Sequence, residues 1–307
     1  MSINIKDILI PKNVLYDNNI HHLSDDIKNT ISQKVSDFYE EIPFPNYADD
    51  DNKLSILNKG DANTFYKKLK SHIGLNKKIL EIGSGTSQLS MYLATGTNND
   101  VVALDLTKKS LKVASKFAKE NKIKNIKFLN ADLHNDIFLP EIFDFVLSLG
   151  VLHHTKDTYQ GFVKTIKPLK KNGYVFIGLY NKYGRKRLEL RRFFSKIFGR
   201  KIIFLLDPMI RFLNQNPKRN KDKIKAWIND QYFHPVESSY TVDNVLEWFN
   251  KNNIEFISSI PSMDLEKISM EKIFSKNNLT GKLFRIIIQI LMNFQGHGRE
   301  GGLFIMI

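Results

Sequence analysis

At 307 residues the chain is long enough to bury a full core, as one large domain or as one large and one small. It has no cysteine, which excludes disulfides, a thiolate nucleophile and a thiolate zinc cluster, and fits a reducing cytoplasm. The first residues carry no secretory signal and no run of about 18 apolar residues occurs, so no spanning helix is expected, while the net charge of +14 suits either an acidic partner or a solvated helix face.

In chain order, 1–64 is polar and irregular, with a helix expected from about Asp25 to Glu41 that Pro43 stops. The stretch 38–47 is aromatic and proline-rich and suits a strap, either over a ligand mouth or on the surface of the core; Tyr39 and Tyr47 are its candidate substrate contacts. Apolar runs then alternate with amphipathic stretches. Strands are expected at 78–82, 101–105, 126–130, 144–149 and 174–180, and helices at about 86–95, 108–121 and 157–168. Ile-Leu-Glu-Ile-Gly-Ser-Gly-Thr (79–86) places Gly83 and Gly85 between a buried strand and a helix start, and Asp105 ends the next strand twenty residues beyond Gly85. This is the layout of a nucleoside-binding doubly wound sheet, in which glycines let the backbone approach a ligand and the acid takes two ribose hydroxyls. The third glycine of a dinucleotide fingerprint is replaced by Gln88, and the Gly-Lys-Ser/Thr of a P-loop is absent.

Further along, Asn130-Ala131-Asp132 closes the 126–129 run, Phe143 to His154 forms an apolar strand and a Leu-His-His loop, and 169–177 reads as a turn and another strand. With the 79–86 turn and Asp105, these segments resemble the class I S-adenosylmethionine-dependent methyltransferase family, over 79–177. One departure is Ser87, where many members have the last glycine of Gly-x-Gly-x-Gly; it is expected to narrow the pocket slightly. The resemblance implies an α/β fold with a doubly wound, seven-stranded, mostly parallel sheet whose last strand is antiparallel, carrying a helical N-terminal strap and helical insertions. Its last elements are a helix at 241–249 capped by Thr241, a strand at 254–260 and a final strand at 302–307. The implied organisation is a strap (1–64), a core (65–181 and 241–307), a basic insertion (182–240) and a second insertion (262–300), whose apolar helix at 283–292 is expected against the first.

The resemblance also implies S-adenosyl-L-methionine as cofactor and assigns its contacts. Glu81, Ile82, Gly83, Ser84, Gly85 and Thr86, with Gln88, border the methionine part and ribose. Asp105 takes the ribose hydroxyls and Leu106 touches adenine. Ala131 and Asp132 lie at the adenine amino group, Leu133 donates its backbone N–H, and Leu149 lines the pocket. Methyl transfer from a sulfonium is an in-line displacement, so the protein mainly aligns donor and nucleophile and excludes water, adding a base where the acceptor needs one.

On the acceptor side, His153 and His154 are candidate bases just past the 144–149 strand, although one of such a pair can merely order the loop. Tyr180, Asn181, Tyr183 and Arg185 lie at the carboxyl end of the sheet, where Tyr183 and Arg185 can hold an anionic acceptor or hinge the insertion. His234, Glu237 and Tyr240 are candidate acid–base or substrate groups. His234 and Glu237 lack further ligands of matching spacing, so no metal is expected.

Between Lys182 and Lys225 fifteen Lys/Arg face only Glu189, Asp207 and Asp222, so twelve of the fourteen net positive charges fall there. Basic and apolar residues alternate from Leu188 to Lys201. Such a segment can be a lid, an oligomer (homodimer) contact, or an element lying on an anionic membrane surface. The function expected is therefore a cytoplasmic methyltransferase, peripheral to a membrane if that last reading holds. Its acceptor is small or lipid-like, enclosed by the strap and the 182–240 insertion. The rivals are an RNA methyltransferase, disfavoured because no Asn/Asp-Pro-Pro-Tyr motif or separate RNA module occurs, and a cofactor-binding scaffold that docks on membranes or a partner.

Overall fold

The computed structural model describes residues 3–10, 13–23, 30–41, 43–48, 50–215, 217–264, 273–293 and 302–307. The chain begins with two short strands, β1 (Val14–Asp17) and β2 (Ile20–Leu23), then α1 (Thr30–Glu41), α2 (Lys53–Ala62) and α3 (Thr64–Ile73). Strands and helices then alternate: β3 (Lys78–Ile82), α4 (Gln88–Ala94), β4 (Asp100–Asp105), α5 (Lys108–Glu120), β5 (Ile126–Asn130), β6 (Phe143–Leu149), α6 (Thr158–Ile166) and β7 (Leu169–Tyr180). Four helices interrupt the alternation, α7 (Lys186–Phe198), α8 (Lys201–Leu206), α9 (Pro208–Leu213) and α10 (Pro217–Phe233). The chain closes with α11 (Val242–Lys251), β8 (Ser259–Ile260), α12 (Lys282–Leu291) and β9 (Leu303–Met306).

All nine strands form one sheet in the order β1-β2-β5-β4-β3-β6-β7-β9-β8. β3 pairs in parallel with β4 on one side and β6 on the other, and β9 runs antiparallel between β7 and β8. The winding direction reverses beside β3, and open α/β sheets take ligands above the carboxyl ends of the strands at that switch point. Both faces of the sheet are covered. Leu80, Ile82, Val102 and Leu104 pack into one core with Phe162 and Phe249, while Ile79, Val101 and Ala103 pack into the other with Leu69, Leu111 and Phe117. Alternate residues of the central strands thus enter opposite cores, as a strand buried on both sides requires. The turn-and-cap chemistry holds at α11, where Thr241 accepts from the Asn244 N–H and Asn244 reaches back to the Thr241 N–H.

Four expectations need correction. The sheet has nine strands among the described residues, not seven, because 14–23 folds into a hairpin on the β5 edge. Asn18 and Asn19 carry it, with φ of 51° and 62°, the left-handed pair of a two-residue turn. The N-terminal part is therefore sheet as well as strap; the expected helix is described from Thr30, and Asp25 lies outside the described residues. The 254–260 strand shrinks to Ser259–Ile260. The helix at 283–292 leans mainly on the core, through Arg285 to Asp243 and Gln289 to Asn181 and the Val242 N–H, and among the described residues its end meets the start of the first insertion, where Arg187 donates to the Asn293 carbonyl and Asn293 to the Tyr183 carbonyl.

Candidate active site

The β3–α4 turn is built around two left-handed glycines. Gly83 has φ +68°, and a Cβ there would stand 2.3 Å from the Val151 side chain; Gly85 has φ +53°, and a Cβ there would stand 2.2 Å from the Phe44 carbonyl oxygen. No other residue fits either place. Ser87 takes the next left-handed position, φ 60° and ψ 32°, and donates its hydroxyl to Ser84 at 3.0 Å in the interior. Its side chain faces away from the cavity, so the expected narrowing does not occur. Thr86 likewise turns outward: its N–H reaches the Phe44 carbonyl and its hydroxyl the Pro45 carbonyl, tying the turn to the strap.

Asp105 sits at the end of β4 with its carboxylate 8% exposed. Oδ2 accepts the Gly85 N–H at 2.7 Å and Oδ1 the Thr107 N–H at 2.8 Å. Burial raises its pKa, and the two backbone donors pull it back. A carboxylate has about four lone-pair positions; the two backbone donors and the Thr107 hydroxyl occupy part of them and leave capacity for a ligand. Glu81 lies beside it, held by the Ser90 N–H and hydroxyl on α4, and burial pushes its pKa up to about 7. After β5, Asp132 Oδ1 accepts the His134 N–H at 3.0 Å, while the Leu133 N–H makes no hydrogen bond among the described residues.

Above these groups lies a cavity of about 420 Å³, within the usual size of small-molecule sites. Of the expected cofactor contacts, Glu81 to Gly85, Gln88, Asp105, Leu106, Ala131 to Leu133 and Leu149 all line it; Thr86 does not. Its roof comes from two distant segments. Ser32, Val35, Tyr39, Phe44 and Pro45 enter from the strap, and Trp227, Asp230 and Gln231 from α10. They are latched together: the Tyr39 hydroxyl donates to Asp230 Oδ1 at 2.8 Å, and Gln231 Nε2 donates to Asp230 Oδ2 at 2.7 Å and to the Tyr180 hydroxyl at 3.0 Å. Burial and the Asp230 carboxylate raise the Tyr39 pKa well above normal, so its hydroxyl remains a donor.

His154 and Tyr180 are the two other expected acceptor-side residues that reach the cavity with Tyr39. Nδ1 of His154 lies 2.7 Å from the Val236 carbonyl, which fixes the proton on Nδ1 and leaves the lone pair on Nε2. Burial pulls its pKa down to about 4, against the upward push of that carbonyl and of Glu237, so the ring is neutral at neutral pH.

The remaining expectations fail for identifiable reasons. His153 is fully buried behind the wall, accepting the Tyr180 N–H at 3.3 Å on Nδ1 with its ring 3.7 Å from that of Tyr180. His234 stacks at 3.6 Å on the far side of His154 and accepts the Val236 N–H; burial lowers its pKa to about 3. Arg185 is 1% exposed, with Nη2 on Glu237 at 2.5 Å, Nη1 on Gln231 at 2.9 Å and its plane over the Tyr180 ring. Glu237 is shared with Arg192 at 2.7 Å. This fork supports the wall through Gln231 and Tyr180 and faces no acceptor. Asn181 accepts the Tyr183 and Gly184 N–H groups and donates to Gln289, so it and Tyr183 build the exit turn from β7. Tyr240 packs on Trp248, and Tyr47 donates to the Thr86 carbonyl while stacking on Phe117. Missed by the sequence were Asp230, Gln231 and Trp227, polar or aromatic positions on a helix whose relation to Tyr39 spans 191 residues.

Comparison with known proteins agrees with this architecture. Residues 73–253, more than half of the chain, match the family described as "Methyltransferase domain" (Methyltransf_31). An uncharacterized protein of Synechococcus sp. is 25% identical over 74% of this chain and 60% of its own length. A ubiquinone biosynthesis O-methyltransferase of Pelagibacter ubique is 34% identical over 35% of this chain and 43% of its own. The chain thus spans about half the length of these relatives. The structure of PKMT2 from Rickettsia typhi in complex with AdoHcy is similar in fold, with a TM-score of 0.53 at 16% identity over 79% of this chain and 52% of that one. The chain belongs to the methyltransferase-domain family and has the class I, S-adenosylmethionine-dependent fold.

Proposed function

We propose that this chain transfers the methyl group of S-adenosylmethionine to an O–H or N–H group of a small or lipid-like acceptor. The observation that carries this reading is one continuous roofed cavity that brings together the Gly83–Gly85 turn, Asp105 and Asp132 with His154, Tyr180, Tyr39 and Asp230. The first three of these fit the cofactor. Gly83 and Gly85 hold the turn in its left-handed backbone on the cavity wall, Asp105 keeps acceptor capacity for ribose hydroxyls, and Asp132 with the Leu133 N–H offers an acceptor and a donor for an adenine edge. When bound there, S-adenosylmethionine supplies a methyl group already activated on a sulfonium.

The chain's own residues set the acceptor's chemistry. The Nε2 lone pair of His154 and the Asp230 carboxylate are both hydrogen-bond acceptors, so they favour a group that arrives with a proton to give. His154 is unprotonated at neutral pH and held in one tautomer, so it can orient that proton and take it as charge builds on the heteroatom. Tyr39, Trp227 and Gln231 cover one side of the cavity and limit its contact with water. A relative is named a ubiquinone biosynthesis O-methyltransferase, which makes a hydroxyl group the first acceptor to try.

Labelled S-adenosylmethionine incubated with phenols and amines, each with and without an apolar tail, and with RNA tests the proposal. Label in a small acceptor, lost with His154→Gln while S-adenosylhomocysteine still binds, is the expected result. Label in RNA alone, or in no small acceptor, would overturn it.

A further inference from the structure

The helix α12 is apolar on both sides. On its inward side Ile288 and Met292 pack on the core beside Arg285, paired with Asp243, and Gln289, which is fully buried and bonded to Asn181 and the Val242 N–H. Its outward face carries Leu283, Phe284, Ile287, Ile290 and Leu291, each between 40% and 74% exposed. Positions i, i+1, i+4, i+7 and i+8 fall on one side of a helix, so this is a continuous apolar stripe turned to solvent, where a helix of a globular protein usually carries polar residues. The same feature recurs on the first insertion. Leu190, Phe193 and Ile197 of α7 are 55–57% exposed, Phe198 is 64% exposed, and Leu205 of α8 is 64% exposed. Lys196, Lys201 and Arg211 stand exposed among them. The two helices meet where Arg187 at the start of α7 donates to the Asn293 carbonyl just beyond α12. Apolar patches of this extent mark contact surfaces.

We propose that α7, α8 and α12 form a surface that docks on an anionic lipid bilayer. The charge selects this occupant. On and between α7 and α8, Lys186, Arg187, Lys196, Arg200 and Lys201 are exposed against one exposed acid, Glu189, so the surface is strongly positive. In a two-fold contact between copies the same patch meets itself, so these charges would oppose one another. Nucleic acid would neutralise them but leave the leucine and isoleucine stripe in water. An anionic bilayer takes both, the lysines at its headgroups and the apolar stripe at the acyl boundary. The surface also adjoins the cavity. Ile203 of α8 and Ile210 of α9 pack on Ile224 of α10, the helix whose Trp227 and Gln231 roof the site. A seated bilayer would lie against that roof, where a lipid-like acceptor could enter.

Co-sedimentation of the full chain with phosphatidylcholine vesicles, with and without phosphatidylglycerol, tests this without any turnover, so its failure leaves the methyltransferase reading intact. The wild type is expected to pellet with the phosphatidylglycerol vesicles at low salt and to do so far less at about 1 M salt, where the Debye length is about 3 Å. Leu283→Ser/Ile287→Ser/Ile290→Ser is expected to weaken binding at least tenfold while melting temperature and S-adenosylhomocysteine affinity stay unchanged. Lys196→Glu/Lys201→Glu/Arg211→Glu, read on the same vesicles, is expected to weaken it likewise and serves alone should the first variant not fold. A wild type that stays in the supernatant, or variants that bind as well as it does, would overturn the proposal. So would a wild-type dimer that the serine variant dissolves, with no vesicle binding, or an oligoribonucleotide bound at a salt concentration where vesicles are not.

Discussion

Asp105→Asn isolates the group on which the cofactor end of the cavity turns. In the wild type each carboxylate oxygen accepts one backbone N–H, from Gly85 at 2.7 Å and Thr107 at 2.8 Å. An asparagine has only one carbonyl oxygen, so its NH2 must face one of those N–H donors, and one buried charge-assisted bond is lost. Such bonds are worth about 1.5–3 kcal/mol, and desolvation, the largest influence on Asp105 and strong enough to raise its pKa, returns much of this when the charge goes, leaving a net loss of about 1 kcal/mol. At about 2 °C per kcal/mol for a chain of this size, the melting temperature should fall about 2 °C. Cofactor affinity should suffer separately. Two ribose hydroxyls donating to a carboxylate would keep at most one acceptor in the amide, a further loss of about 2 kcal/mol, or about thirtyfold in Kd. Thermal unfolding and calorimetric titration with S-adenosylhomocysteine read the two effects. Affinity within about twofold of wild type would refute the assignment of Asp105 to the ribose, and an unchanged melting temperature would refute its role in pinning the turn.

Four further substitutions follow from the same geometry. Gly85→Ala adds a Cβ 2.2 Å from a backbone oxygen at φ +53°, so the strap must lift and Phe44 must release the Thr86 N–H. A cost of about 2–3 kcal/mol and at least a tenfold loss of S-adenosylhomocysteine affinity are expected in calorimetry. Glu237→Ala leaves Arg185, 1% exposed, without its carboxylate. Chemical denaturation should show a loss of about 3–5 kcal/mol, and a loss under 1 kcal/mol would mean the pair is not structural. His154→Gln should reduce methyl transfer by about 10²–10⁴-fold at unchanged S-adenosylhomocysteine affinity, whereas His153→Gln, behind the wall, should act mainly on stability.

What the sequence revealed and what it hid divide along the distance over which each feature is specified. The cofactor end is local. Gly83, Gly85 and Asp105 fall within two strands and one turn, and β3, β4 and β5 read as apolar runs because both their faces are buried. The acceptor end is assembled from afar. Asp230 acquires its place through Tyr39, and Arg185 loses its freedom through Glu237, 52 residues on. Position at the carboxyl end of β7 could therefore place Arg185 near the site but not say which way its guanidinium points. The β1–β2 hairpin was hidden differently. Its outward residues Leu15 and Tyr16 are 65% and 62% exposed, so the alternation is weak, and the remaining signal was the Asn18-Asn19 pair. The basic segment looked like one uniform patch, yet Arg185, Arg191 and Arg192 are paired inward with Glu237 and Asp207 and help to build the wall.

The same wall predicts how the protein responds to acid. His153, His154 and His234 are buried neutral, with pKa values lowered well below normal, to about 4 and to about 3 respectively. A histidine whose folded pKa is depressed contributes stability above its unfolded value of about 6.5, and that stability is lost as pH falls toward the folded value. Glu81 acts oppositely. Raised to about 7 by burial, it favours the folded state below its unfolded value of about 4.5 and loses that advantage as pH climbs through 7. At pH about 5.5 unfolding should bind almost two protons at His154 and His234 and release almost one at Glu81, a net uptake of about one, which the lowered pKa of His153 reinforces. From the groups with defined values, stability should then fall by about 1.4 kcal/mol per pH unit on acidification. Denaturant unfolding at pH 6.5, 5.5 and 4.5 measures that slope. His234→Gln should lower it by about one proton's worth, about 1.4 kcal/mol per pH unit, since His234 stacks on His154 at 3.6 Å with its Nε2 buried and without a partner. A slope of zero or of opposite sign would mean that Glu81, not the histidine cluster, dominates the linkage, and that the wall behind the cavity tolerates charge.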